Sequence, residues 1–461
     1  MVFRLRQIEA ERKVIGSVRL ESLERAIPAA SVRGTLQELG LRTRRIRKLS
    51  LEMIVWVVIG MNLWTHASME YVLQKMLWGL RLLWPGSDFT PAGESAIAYR
   101  REQLGARPMA LLFRRLCRPM ATMATRGAFQ FGLRLMGIDG HREEVPDTPE
   151  NARCFGRPKS GRGEAAYPQV QAAYLFEIGT HAVVDAGFWP ISVSEEVGAY
   201  RLLRSVVAGM LLMLDRGLYS FDMVRAIVRR GAHVLARMPK QVKPQYVRLL
   251  PDGSWLAFIS PAERKRKNRG ERLLVRIIAY TLSDPGQPGH KKTYRLVTTL
   301  LDTNQAPAFE VAQAYHERWD VEGTIDEMDT HQHLADGPLR SRKPVGVIQE
   351  LYGLLIAHYA VRCLMHEAAI RAGVDPDQIS YTHTLRLIQD RTHDFQIAAE
   401  ELRPGLLRQM VQDIAEHLLP PRRLRSNPRV VKRKMSNFPL KRSQHDRPAT
   451  KQPTRQSLAL I

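Results

Sequence analysis

Three cysteines in 461 residues cannot build a disulfide framework, and Cys117, Cys154 and Cys363 lie too far apart to suggest a zinc cluster or a redox pair. The GxxxxGK pattern of an ATP-binding phosphate loop is absent, which removes that class of nucleotide enzyme. Long apolar runs are missing too. The longest, Met53 to Trp64, falls short of the roughly twenty residues that cross a hydrocarbon layer, so it reads as a buried helix and no membrane partner is expected. The opening MVFRLRQIEAERKVIG has neither the apolar core nor the small-residue cleavage site of a secretory signal, so a cytoplasmic protein is expected.

Acidic residues are scarce relative to basic ones: 46 Asp and Glu face 69 Lys and Arg, a net charge of +23. Such an excess favours a polyanionic partner, because basic side chains displace counterions from phosphates, and nucleic acid is the first candidate. The charge is concentrated in two places. Arg42, Arg44, Arg45, Arg47 and Lys48 crowd a loop-to-helix entrance, either along a phosphate backbone or as a solvated loop. Between Arg422 and Arg442 nine basic residues occur without an acid, among them Arg429, Lys432, Arg433, Lys434, Lys441 and Arg442. This tail either contacts nucleic acid or stays solvated.

With 44% hydrophobic residues the chain can bury substantial cores, and its length suits two to four domains. Leu20 to about Met123 reads as helices separated by Pro/Gly breaks. From Leu135 the pattern becomes strand-like: Leu135 to Ile138, Val170 to Glu177, Thr180 to Val184, Met210 to Leu214 and His233 to Ala236 are short apolar runs. Intervening helices are expected at Glu195 to Val207 and Phe221 to Arg230. This order favours an α/β domain with partly parallel pairing. Tyr246 to Leu250, Ser254 to Ile259, Leu273 to Leu282 and Thr293 to Thr299 read as a β-rich insertion. Helices return at Pro307 to about Asp329 and at Val345 to Met365, and one more follows Gln396. The expected divisions are 1–126 (helical, DNA-binding), 127–239 (first part of the core), 240–300 (insertion), 301–395 (remainder with an acidic helix) and 396–461 (helix and basic tail).

Asp139 and Asp215 each end an apolar strand, where open α/β sheets place ligands, although aspartate before a turn also commonly caps it. Glu322 lies on the Pro307 to Asp329 helix. There Tyr315, Arg318, Glu322 and Asp329, offset by 0, 3, 7 and 14 positions, fall within about 60 degrees at 100 degrees per residue of an ideal α-helix. Three carboxylates together suit Mg²⁺, with Mn²⁺ as a substitute, since hard cations take oxygen ligands and share their shell with phosphates. Arg318 can grip a phosphate through its donor fork and Tyr315 can hydrogen-bond one; the plainer roles are a salt bridge and a core aromatic. Trp255 is either packed or stacked on an extruded base. His331 and His333 read as loop residues rather than zinc ligands.

GIDG at 137–140, DTPENARCFG at 147–156, LLMLDRGLYS at 211–220, YHERWDVE at 315–322 and LRSRKP followed by VIQELYGLLIAHYAVR resemble the motifs of IS4-type transposases of the DDE superfamily. The resemblance spans roughly residues 18 to 442. It implies an RNase H-like, retroviral-integrase-like catalytic core with a β-rich insertion, preceded by an all-helical domain, and Asp139, Asp215 and Glu322 as the metal-binding triad. It further implies binding of double-stranded DNA at terminal inverted repeats, metal-dependent cleavage, strand transfer to target DNA, a homodimer synapsing two ends, and a bacterial nucleoid-associated location. At position 329 the family motif carries a lysine that holds DNA phosphate, whereas this chain has Asp329. Rival readings are a catalytically impaired DNA-binding relative and an RNase H-like nuclease.

Overall fold

The computed structural model describes residues 18–41, 49–83, 91–160, 163–261, 270–286, 290, 292–332, 337–420, 451 and 453–461, with backbone alone at 81, 82, 160, 319–322, 330, 331 and 454. The basic clusters Arg42, Arg44, Arg45, Arg47, Lys48 and Arg422 to Arg442, as well as His333, lie outside the described residues. The chain forms two compact units. One gathers the residues up to Ala128 with Gly140–Leu202 and Glu322–Leu418; the other gathers Phe129–Asp139, Leu203–Val321 and the residues after Leu418.

The first unit is mainly helical. Its amino-terminal part is the helices Ala29–Glu38, Leu51–Gly60, Met69–Leu83, Glu94–Leu104 and Arg107–Leu116. Leu51–Gly60 answers to the apolar run from Met53: Ser50 caps it, its hydroxyl accepting from the Met53 amide at 3.0 Å, and nearly every residue in it is buried. It packs against the 29-residue helix Pro344–Ala372. Contact is close at Gly353, where a Cβ would stand 2.7 Å from the Val58 carbonyl oxygen. Among the described residues no helix is long and apolar enough to cross a membrane.

The LRSRKP turn leads into that long helix and is held from inside. Glu350, fully buried, accepts from the amides of Arg340 at 3.1 Å and Ser341 at 3.0 Å and from the Ser341 hydroxyl at 2.6 Å. Arg101 reaches Ser341 Oγ and the Gly346 carbonyl, and Arg340 donates to the carbonyls of Thr65 and Ala67. Two backbone donors lose their acceptor if the carboxylate is removed. Glu350→Ala is therefore expected to cost about 3 kcal/mol, read as a lower urea midpoint with an unchanged slope.

Also in this unit, strands Gln169–Glu177 and Ala182–Pro190 pair antiparallel. The second starts later than the run Thr180 to Val184 suggests. Thr180 instead belongs to a 3₁₀ turn, its hydroxyl donating to Glu177 at 2.6 Å, and His181 takes a left-handed φ of 56°.

The second unit is a mixed sheet. The first half of the Leu133–Glu144 strand pairs in parallel with Met210–Leu214, which pairs in parallel with His233–Arg237. The helix Phe221–Val228, capped by Ser220, makes the crossover that parallel strands require. Antiparallel strands Tyr294–Thr298, Leu273–Leu282, Trp255–Ile259 and Gln245–Leu249 then follow in spatial order from the His233–Arg237 edge. The architecture is thus helices followed by a mixed α/β core, consistent with an RNase H-like fold carrying a β-rich insertion.

Candidate active site

Met210–Leu214 is buried at all five positions, and its chain emerges from the sheet at Asp215. The last rung it shares with the neighbouring parallel strand pairs Leu214 with Ile138. Asp215 therefore leaves its strand one residue beyond that rung, whereas Asp139, one residue beyond it on the neighbour, lies inside a strand that runs on to Glu144, which corrects the expectation that Asp139 ends its strand; both are half-buried where the parallel ladder stops. Asp215 also shapes its own turn: its carboxylate accepts from the Arg216 amide at 2.5 Å and its carbonyl from the Leu218 amide at 3.2 Å.

The Tyr315 hydroxyl donates to the Leu214 carbonyl at 3.3 Å, the peptide unit directly before Asp215. Burial, helped by the Asp215 charge and opposed by Arg318, pushes the phenol up to about 12, so it stays a neutral donor. The buried Arg318 guanidinium lies 6.0 Å from the Tyr315 ring centroid. Trp255 opens its strand, half-buried, paired with Leu249 and Ile277.

The acidic helix is not the one regular α-helix that the single-face count assumes. Ala308–Tyr315 is α-helical, His316–Arg318 is a 3₁₀ turn, Trp319–Asp326 is α-helical again, and Glu327–Gln332 is a π-helix. Each change of winding alters the angle per residue, so a uniform 100 degrees per residue does not hold along this segment. Glu322 lies within the Trp319–Asp326 segment; its side chain and that of Trp319 are outside the described residues, as is the His331 side chain.

Sequence reasoning missed a second group. His141, Glu143 and Asp329 each place one ligand atom within 4.8 Å of the others. His141 Nε2 is 3.1 Å from Asp329 Oδ2 and 3.5 Å from Glu143 Oε1. Burial outweighs the attraction of Asp329 and lowers the imidazole below its ordinary range. Burial, then the like charges of Asp329 and Glu350, push the Glu143 carboxyl up to about 8. The available signal was strand alternation: Asp139, His141 and Glu143 are at positions i, i+2 and i+4 of one strand and share a face. Such a His/Glu/Asp set can coordinate a divalent metal.

All-helical segments ahead of a mixed α/β core with a β-rich insertion are consistent with the architecture of a DDE-type transposase. Residues 17–114 match the family model "Insertion element 4 transposase N-terminal" and residues 132–360 match "Transposase DDE domain". The chain is 30% identical over 414 residues to "Transposase InsG for insertion sequence element IS4" of Escherichia coli (strain K12), covering 88% of this chain and 90% of that one. The chain belongs to the IS4 family of DDE transposases. A piggyBac transposase synaptic complex with hairpin DNA, solved by cryo-EM, aligns with a TM-score of 0.40 at 11% identity over 85% of this chain and 84% of that one.

Proposed function

We propose that the protein binds the terminal inverted repeats of its own insertion sequence, cleaves them in a metal-dependent reaction and joins the excised element to target DNA. The observation that carries this reading is the pair Asp139 and Asp215, delivered to one edge by adjacent parallel strands. Two half-buried carboxylates present oxygen donors of the kind Mg²⁺ selects, and Mn²⁺ is the natural substitute. Glu322 contributes the third carboxylate from the acidic helix. Bound there, the cations supply Lewis acidity toward a phosphodiester and lower the pKa of the attacking hydroxyl. Tyr315 braces the end of the Asp215 strand through Leu214, and Arg318 neutralises phosphate.

The +23 charge supports DNA as the partner. In this reading Arg42, Arg44, Arg45, Arg47 and Lys48 track one stretch of backbone; Arg429, Lys432, Arg433, Lys434, Lys441 and Arg442 track another, and Trp255 stacks on a displaced base. Pairing two ends calls for a homodimer, and the substrate places the protein at the bacterial nucleoid. The test is purified protein with duplexes carrying its element's ends and Mg²⁺. Nicks exposing a 3′-hydroxyl at the repeat boundary are the expected product. One observation favours a second reading, a DNA-binding relative with impaired chemistry: the motif lysine is replaced by Asp329, which faces His141. End binding with no cleavage in Mg²⁺ or Mn²⁺ would select it.

A further inference from the structure

We propose that His141, Glu143 and Asp329 form a second divalent-cation site that takes a nitrogen-tolerant ion such as Zn²⁺, Co²⁺ or Mn²⁺ in preference to Mg²⁺. Its assignment does not depend on that of the Asp139 and Asp215 carboxylates.

Geometry argues first. A tetrahedral ion bound at about 2.0–2.2 Å sets its ligands roughly 3.3–3.6 Å apart. His141 Nε2 stands 3.1 Å from one carboxylate oxygen and 3.5 Å from the other, and all three ligand atoms lie within 4.8 Å of one another, so side-chain adjustment brings them to three corners. The two strand ligands are directed together by the sheet itself. Over His141 to Glu144 burial alternates, with His141 and Glu143 half-buried and Arg142 and Glu144 exposed. The third ligand comes from the π-helical segment Glu327–Gln332, a widened winding that recurs at functional sites.

Charge argues second. Two carboxylates meet His141 from different elements, and a cation offsets the negative charge they bring together. The side chains are 24%, 12% and 32% exposed for His141, Glu143 and Asp329, open enough for an ion to enter and shielded enough to hold it. Imidazole among the ligands turns selectivity away from Mg²⁺, which prefers an all-oxygen shell, and toward borderline metals. Three protein ligands leave a fourth position for water or a phosphate oxygen. An ion held here cross-links the Leu133–Glu144 strand to the π-helical end of the acidic helix.

Cobalt is the probe, because tetrahedral Co²⁺ reports its ligands by visible absorption. The full chain carrying Asp139→Asn and Asp215→Asn is titrated with Co²⁺, and bound metal is counted by equilibrium dialysis. One equivalent with visible bands is expected, retained in millimolar Mg²⁺. Adding His141→Gln or Asp329→Asn should weaken it at least about tenfold while the circular dichroism melt is preserved. If His141→Gln disturbs the melt, Asp329→Asn decides. No Co²⁺ uptake in the Asp139→Asn/Asp215→Asn background, uptake indifferent to both added substitutions, or equal displacement by Mg²⁺ overturns the site. Cleavage of element ends in Mg²⁺ reports separately on the triad.

Discussion

Asp139→Asn and Asp215→Asn are each expected to cut Mg²⁺-dependent cleavage of element ends by more than about a hundredfold. Loss of a group that merely orients a metal ligand already costs roughly 10–100-fold, and a ligand itself should cost more. Asparagine keeps the shape and one oxygen of each side chain while removing the charge. It also preserves the turn at Asp215, because the retained carbonyl can accept from the Arg216 amide. Fold and end binding should therefore survive, checked by melting and by gel shift beside the cleavage assay. Either variant cleaving at the wild-type rate would remove that aspartate from the chemistry. Substituting Mn²⁺ should recover part of the activity, since the amide oxygen remains a usable ligand for a softer ion.

That these two positions stood out in the sequence has a simple physical origin. MLLML is apolar at every position and ends abruptly at Asp-Arg-Gly, so a fully buried strand and its exit are both legible, and the strand runs over those five residues. LLVRIIAYTL, at Leu273–Leu282, is legible because only Arg276 and Thr281 interrupt its apolar run. The helix Tyr381–Ile397 was not. Its inward face mixes Leu385, Ile388 and Phe395 with Thr384, Thr392 and Gln396, so polarity hides the period and only Ser380, the cap, marks it. Long-range pairing is equally invisible: that Tyr294–Thr298 would lie beside His233–Arg237 follows from no local pattern.

In the candidate site the same distinction holds. The aspartates are legible because each follows directly on an apolar run, Leu135 to Ile138 and Met210 to Leu214, although the first strand continues to Glu144. The cluster of His141 and Glu143 with Asp329 needs a partner from a distant element, and the phase of that element is set by tertiary contacts. Counting 100 degrees per residue across YHERWDVEGTIDEMD assumes a uniform α-helix, and the chain departs from it twice. The second departure begins at Glu327, whose carboxylate is held by groups from other elements.

Glu327→Gln is expected to destabilise the protein by about 3–5 kcal/mol, the cost of leaving a buried cation without its partner. Arg362, 1% exposed, donates through Nε to Glu327 Oε2 at 2.9 Å and makes a second bond to Oε1. His358 Nε2 lies 3.2 Å from Oε2, and His181 Nδ1 lies 3.3 Å from Oε1. Burial alone would raise the Glu327 carboxyl, but Arg362 and then His181 hold it well below its usual range. For His181 burial and Arg362 push downward, yet Asp377, 2.8 Å from Nε2, together with Glu327 lifts it to about 9.

The signs set a pH window. Glu327 stabilises the fold above its ordinary 4.5, and that contribution fades as pH falls through its depressed value. Protonated His181 stabilises fully below its ordinary 6.5, and that contribution is lost as pH rises through about 9. Wild-type stability should thus decline between pH 6.5 and 9, and Glu327→Gln should flatten that decline because one of the two anions raising His181 is gone. Urea midpoints across this range measure both effects. Because Glu327 anchors the segment between Glu322 and Asp329 to the Pro344–Ala372 helix, loosening it should also blunt cleavage under conditions where the variant remains folded. A melt shift with undiminished cleavage would confine Glu327 to stability, and an unchanged urea midpoint would show that the buried charges are compensated from elsewhere.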